Sequence, residues 1–263
     1  MGADPQLGAG VRPAPASLVS FDGRAVLVTG GTRGIGKAIA LRFASQGSTR
    51  VVLGYLRNDE AAEEAAAELR SAGAEPVFVR GNVASDRVIT ELASHGPYDA
   101  VVHNAATGVI RPALETEDKH WDWTLGANAR ALLSLARACA PEMQAGSSIV
   151  GVSSLGSTRV LENYILVGTS KAALESVVRY LAVELAPQGI KVNAVSAGLV
   201  ETEALDHFPN RDQMLRAARE RTPVGRMVEP DDVAAAVAYL CSADAEMVRG
   251  QTLIVDGGYS LLA

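Results

Sequence analysis

From Arg24 onward, short runs of Val, Ile and Leu alternate with stretches patterned as helices, and few folds accept that order. The apolar runs are RAVLVTG, RVVLGYL, PVFVRGNV, YDAVVHNAA, SSIVGVSS, IKVNAVSAG and TLIVDGG. Between them come KAIALRFASQG, the Ala/Glu-rich NDEAAEEAAAELRSAG and a helical segment near Arg87 to Ser94. The runs do not alternate with polar residues, which is the pattern of strands buried on both faces of a parallel sheet. Strands alternating with helices then predict a doubly wound α/β fold, a seven-stranded parallel sheet flanked by helices. No composition break or internal repeat divides the pattern. We read residues 21–263 as one domain and the Gly/Ala/Pro-rich residues 1–20 as a flexible extension.

A chain of 263 residues with 48% hydrophobic side chains can bury a sizeable core. Its formal charge of −6 argues against a nucleic-acid partner, which needs a basic face. Cys139 and Cys241 have no CxxC partner, so neither a disulfide framework nor a metal site is expected, and both read as core fillers. No run reaches the length of a membrane span, and the first residues lack the basic start and apolar run of a signal peptide. The expected location is the cytoplasm. The stretch Asp59 to Arg70 reads as a solvated helix covering one sheet face. In DKHWDWTL, His120, Trp121 and Trp123 read as core or subunit-contact residues, because apolar helix faces usually pack.

Between the first strand and first helix lies Thr29-Gly30-Gly31-Thr32-Arg33-Gly34-Ile35-Gly36. Glycines there allow a tight turn and a close backbone approach to a pyrophosphate. The helix N-terminus offers that anion free N–H groups and a positive dipole end. The strand–turn–helix context that such a motif requires is met. Gly30, Thr32, Arg33, Gly34, Ile35 and Gly36 are therefore candidate cofactor contacts in a Rossmann-type domain.

The GxxxGxG spacing of this loop resembles that of the short-chain dehydrogenase/reductases, and the resemblance covers nearly the whole chain after the extension. It takes in Asn82-Val83, His103-Asn104-Ala105-Ala106, Asn128, Ser153-Ser154, Lys171, Ala197-Gly198 through Thr202, and the closing VDGG. By that resemblance Asn82 and Val83 flank an adenine, Asn104, Ala105 and Ala106 line the cofactor with Gly198, and Thr202 faces the nicotinamide amide. The choice of cofactor has a physical argument. An acid at the end of the second strand holds a ribose 2′-OH, whereas a 2′-phosphate needs cations. VVLGYLRN, residues 51–58, contains no acid but has Arg57, and Arg33 stands in the glycine loop. Guanidinium suits phosphate, so NADPH is expected.

The family's usual Tyr-x-x-x-Lys is absent: that spacing back from Lys171 lands on Val167. The nearest tyrosine is Tyr164, giving Tyr-x6-Lys. On a helix the first spacing separates the pair by about 6 Å along the axis and the second by about 10.5 Å. Both can place the pair on one face, but the phenol moves relative to the nicotinamide. A ketone reductase needs its acid at the oxygen of the carbon that receives hydride. In a conjugated enoyl thioester, charge develops on an oxygen further along, where a displaced phenol can stabilise it.

Tyr-x6-Lys resembles the NADPH-using type III enoyl-acyl-carrier-protein reductases, as do SSLGSTRVLENY, KAALESVVRYLAVELAP, HFPNRDQ, TPVGRMVE and RGQTLIVDGGYSLL. The resemblance implies that Tyr164 binds the substrate carbonyl and Lys171 the nicotinamide ribose. It implies that Asn128 maintains the helix and water path. Ser154 takes the position of the family's catalytic serine, and residues 203–221, with His207-Phe208-Pro209, form a lid. The substrate is then a small acyl thioester in fatty-acid or polyketide synthesis, delivered by acyl carrier protein or as a coenzyme A ester. Arg111, Lys119 and Arg130 could meet an acidic carrier. A homotetramer is implied, with interfaces at the C-terminal strand and around Trp123 and Leu174. The alternatives are a carbonyl reductase on the same fold and a non-catalytic cofactor-binding protein.

Overall fold

The computed structural model describes residues 20–202 and 211–262. Its seven strands are β1 (Ala25–Thr29), β2 (Arg50–Tyr55), β3 (Glu75–Arg80), β4 (Ala100–His103), β5 (Ser148–Ser154), β6 (Lys191–Ala197) and β7 (Thr252–Val255). All pair in parallel, in the order β3-β2-β1-β4-β5-β6-β7. This is the doubly wound sheet that the apolar runs predict.

Alternate residues of each strand feed two separate cores. Val26, Val28, Leu53, Val102 and Val152 meet α1 (Gly34–Ser45), α2 (Asp59–Ser71) and α8 (Pro230–Cys241) on one face. Leu27, Val52, Val101, Ile149 and Val192 meet α3 (Asp86–Ala93), α5 (Ala131–Cys139) and α6 (Ile165–Glu184) on the other. With helices on both sides, a strand gains by being apolar at every position. The α2 helix is solvated as expected, burying only Ala62, Ala65, Ala66 and Leu69, and Asn58 caps it by accepting the Ala61 N–H at 3.1 Å. Cys139 and Cys241 are buried free thiols in the two cores.

Two expectations need correction. The β7 strand is not buried on both faces: as an edge strand it leaves Leu253 and Ile254 exposed. Trp121 and Trp123 lie on α4 (Asp118–Leu125) but are not core residues of the protomer, with 45% and 44% of their surface exposed. His120 instead serves the helix start, its Nδ1 accepting the Glu117 N–H at 3.2 Å. Leu174 itself is fully buried against the sheet, while Tyr180 and Val183 of the same helix are exposed.

The order of the strands positions the site. The chain runs outward from β1 through β2 to β3, then returns to pair β4 beside β1, with Thr29 opposite His103. At such a reversal the loops leaving the two strands diverge and open a crevice beyond their carboxyl ends. The glycine loop and the Asn104 loop border it. Among the described residues no helix is long and apolar enough to cross a membrane, and no cluster of metal-ligating side chains occurs.

Candidate active site

The glycine loop has the shape that its sequence implies. Gly30 and Gly34 adopt left-handed φ values of +65° and +52°, a conformation that costs a residue with a Cβ. A Cβ at Gly36 would stand 2.0 Å from the Gly30 carbonyl oxygen, so only glycine lets the turn close onto α1. Arg33 is the N-cap of α1, whose first turn holds no acidic residue. The helix start is thus left electropositive. Arg33 and Arg57 are both exposed beside this turn and the end of β2. A cradle without side chains, a helix N-terminus and two guanidiniums fit a phosphorylated dinucleotide.

The opposite wall is fastened through Thr29. Its Oγ1 accepts the N–H groups of Asn104 (3.2 Å) and Ala105 (3.1 Å), and its own hydrogen points to His103 Nδ1 at 3.0 Å. The proton of His103 then resides on Nε2, which donates to the carbonyls of Ala127 (3.0 Å) and Asn128 (3.2 Å). Burial, reinforced by the charge of Lys171, lowers the pKa of this histidine to about 4. Asn104 Nδ2 donates to the carbonyls of Thr29 and Gly30 at 3.1 and 3.0 Å, locking the two loops together. Ala106 emerges into solvent just beyond. Asn82 Oδ1 accepts the Ala84 N–H at 2.9 Å, shaping the turn after β3, while Val83 packs on the core below. Gly198 lies at the end of β6, and Thr202 lies against Gly34, whose Cβ would stand 3.4 Å from its methyl.

Asn128 sits in a π-helical turn, Gly126–Arg130, joining α4 to α5. It accepts the Thr107 N–H and donates to the Thr107 carbonyl and to Ser170 Oγ, each at 2.8 Å. One side chain so ties the loop after β4 to the helix that carries Lys171. Both N–H groups of the amide are committed, which makes Asn128 a clasp.

Tyr164 and Lys171 are not two positions within one helix. The α6 helix begins at Ile165, and Tyr164 is its N-cap residue, with φ −102° and ψ 12°. Its carbonyl accepts the Gly168 N–H at 2.7 Å, so the residue is half within the helix. Asn163 before it takes φ +58° and reorients the chain. Two glycines make room for the phenol ring. A Cβ on Gly156 would lie 2.5 Å from the ring, and one on Gly168 would lie 2.7 Å from the Gly156 carbonyl oxygen.

The environment of these groups is asymmetric. Burial raises the Tyr164 pKa above the ordinary tyrosine value, and the Ser154 hydroxyl beside it draws it partly back. Ser154 Oγ is buried, with the Tyr164 hydroxyl beside it. Lys171 Nζ donates to the Val152 carbonyl at 2.6 Å, and burial lowers its pKa to about 8.

Val160, Leu161 and Ile165, near Tyr164 in the chain, are exposed apolar residues, and so is Leu114. The loop bearing Arg111 is fixed there by the Arg111 N–H donating to the Asn163 carbonyl at 2.9 Å. Of the expected lid, residues 203–210 lie outside the described residues. Its helix α7 (Arg211–Arg221) is tied to Glu201 by Arg211 at 3.1 Å and Arg219 at 3.0 Å. Lys119 pairs with Glu117 at 2.7 Å, and Arg130 donates to the Ala84 carbonyl at 2.7 Å. In the sequence, His103 stands out only as part of a motif, without a role, and Thr107, Gly156, Gly168 and Ser170 are not singled out. The signal for the glycines was their presence beside Tyr164 and inside a helix.

The chain matches, over residues 30–260, a family model described as enoyl-(acyl carrier protein) reductase. It is 36% identical to 1-cyclohexenylcarbonyl-CoA reductase of Streptomyces collinus, across 90% of this chain and 87% of that protein. It is 32% identical to tropinone reductase-like 3 of Erythroxylum coca, across 90% and 93%. A short-chain dehydrogenase from Burkholderia cenocepacia J2315, solved in complex with NADP, superposes with a TM-score of 0.84. It is 31% identical, over 91% of this chain and 98% of that one.

Proposed function

Because the chain belongs to the short-chain dehydrogenase/reductase family, in the branch whose model is described as enoyl-(acyl carrier protein) reductase, we propose that it uses NADPH to reduce the trans-2 double bond of an enoyl thioester. The observation that carries this reading is the place of Tyr164, capping α6 a full Tyr-x6-Lys spacing before Lys171. The Streptomyces relative adds support, since its name describes reduction of a conjugated acyl-CoA. NADPH rather than NADH is supported by Arg33 and Arg57 and by the lack of an acid in residues 51–58, Asp59 just beyond being engaged by Tyr55 and Arg80, and the Burkholderia structure holds NADP.

The reduced nicotinamide, when bound, supplies the hydride. Tyr164, kept protonated by burial, donates a hydrogen bond to the thioester carbonyl oxygen and stabilises the enolate charge that develops there. Lys171, held by the Val152 carbonyl, orients the cofactor ribose and supports proton return. Asn128 keeps Lys171 in register by gripping the neighbouring Ser170. The exposed apolar side chains of Leu114, Val160, Leu161 and Ile165 cover the acyl chain. The acyl group arrives on a carrier protein or coenzyme A, in fatty-acid or polyketide synthesis. The exposed Trp121, Trp123, Leu253 and Ile254 serve as contacts of a homotetramer.

A second reading is reduction of a ketone. Ser154 beside Tyr164 favours it, as does the likeness to the tropinone reductase-like protein. NADPH consumption with crotonyl-CoA, beside an acetoacetyl thioester, separates the two. Turnover of the enoyl ester alone, reduced about 10²-fold or more in Tyr164→Phe, is the expected result. Turnover of the keto ester alone would replace the first reading by the second. Binding of NADPH without turnover of either would favour a non-catalytic protein.

A further inference from the structure

Three successive residues of β5 each engage a residue of the α6 segment. The Val152 carbonyl accepts from Lys171, the Ser153 hydroxyl donates to Glu175 Oε1 at 2.6 Å, and Ser154 lies beside Tyr164. The middle contact has no part in the reaction as derived above. Yet Glu175 is a buried carboxylate inside the protein, which is costly unless an opposite charge lies close. It stands one helical turn beyond Lys171, the spacing at which side chains of a helix are neighbours. Lys171 is equally buried. Among the described residues, Ser153 supplies the hydrogen bond that the Glu175 carboxylate accepts.

We propose that Glu175 is a positioning residue whose buried carboxylate is the counter-charge of Lys171, keeping the ammonium protonated and aimed from α6 toward the cofactor. The inference rests on the reading of Lys171 as the cofactor-binding lysine. The groups around Lys171 leave this task to Glu175. From β5, the Val152 carbonyl that Lys171 meets and the Ser153 and Ser154 hydroxyls that follow carry no charge. His103, from β4, is neutral above about pH 4. Tyr164 is held as a neutral phenol. Asn128 is an amide. Burial alone pulls the Lys171 pKa down, and the Glu175 carboxylate opposes that pull, leaving it at about 8. Without the carboxylate, the lysine would lose its proton at a lower pH.

The test is the pH dependence of NADPH affinity, read by cofactor fluorescence, which needs no substrate. In the unaltered protein, affinity should fall as pH rises through about 8. In Glu175→Gln, which can still accept from Ser153, that limb should move to lower pH by roughly one to two units. In Lys171→Met the limb should vanish. Ser153→Ala removes the hydrogen bond but leaves the charge, so its limb should stay near the original pH. A wild-type profile in Glu175→Gln would overturn the proposal, and so would a limb in Ser153→Ala that moves as far as in Glu175→Gln. The first would mean the charge is idle, the second that Glu175 acts only through its hydrogen bond. A limb that survives in Lys171→Met would overturn both the proposal and the assignment of Lys171. Failure of enoyl turnover alongside a shifted limb would count against the reaction and still support the role of Glu175.

Discussion

The phenol of Tyr164 is placed by atoms that its neighbours lack. Its ring fills the space that a side chain on Gly156 would occupy, and Gly168 lets the Gly156 carbonyl approach α6. Neither glycine bears a functional group, so a search for chemistry in the sequence passes over both. Gly156→Ala tests their role. The added methyl would meet the ring at 2.5 Å, so the ring must shift by about 1 Å, a displacement that can cost about 10²-fold in rate. We expect that loss in kcat, with NADPH affinity unchanged, because the glycine loop lies elsewhere. An unchanged kcat in steady-state assays would mean that the exact place of the phenol is not limiting. The same scale explains what the sequence conceals. Tyr164 and Lys171 are visible as residue types, but the slot, the Thr29–His103 relay and the Asn128 clasp depend on contacts between segments far apart in the chain.

At the level of elements, the strands were legible because an apolar run bounded by glycine or polar residues needs only local pattern to be recognised. Helix boundaries were less so. The Tyr-x6-Lys reading assumed continuous helix, whereas Asn163 with φ +58° starts α6 only at Ile165. The π-helical turn at Gly126–Arg130 leaves no mark in DKHWDWTLGANAR, since its cause is tertiary: His103 takes up the Ala127 and Asn128 carbonyls. Asn128→Ala measures what this turn contributes. It would leave the N–H and carbonyl of Thr107 without their partner, and Ser170 Oγ without its donor. Buried polar groups left unpaired cost about 1–3 kcal/mol each, so a loss of about 2–4 kcal/mol is expected after relaxation. Urea unfolding of the two proteins would read it directly. A loss under about 0.5 kcal/mol, the size of an ordinary surface change, would show that the turn holds its shape without the clasp.

For the whole molecule, the reversal of strand order matters more than any single loop. It sets the ends of β1 and β4 side by side, so that a ligand in the crevice is gripped by segments from both halves of the sheet. Unfolding must separate those halves, and a ligand bound only to the folded chain therefore stabilises it by mass action. At about 100 times its Kd the gain is about 2.7 kcal/mol. For a chain of this size that corresponds to a rise in melting temperature of roughly 5–11 °C. NADPH should produce such a rise, and NADH at the same concentration a clearly smaller one, because only the first presents a 2′-phosphate to Arg33 and Arg57. Charge-assisted hydrogen bonds to an anion contribute about 1.5–3 kcal/mol. Arg57→Ala should accordingly weaken NADPH by about tenfold or more while leaving NADH almost untouched, so the two melting curves draw together. Equal shifts from both cofactors in the unaltered protein would defeat the argument from the missing acid, and would make the ribose end of the crevice indifferent to the phosphate.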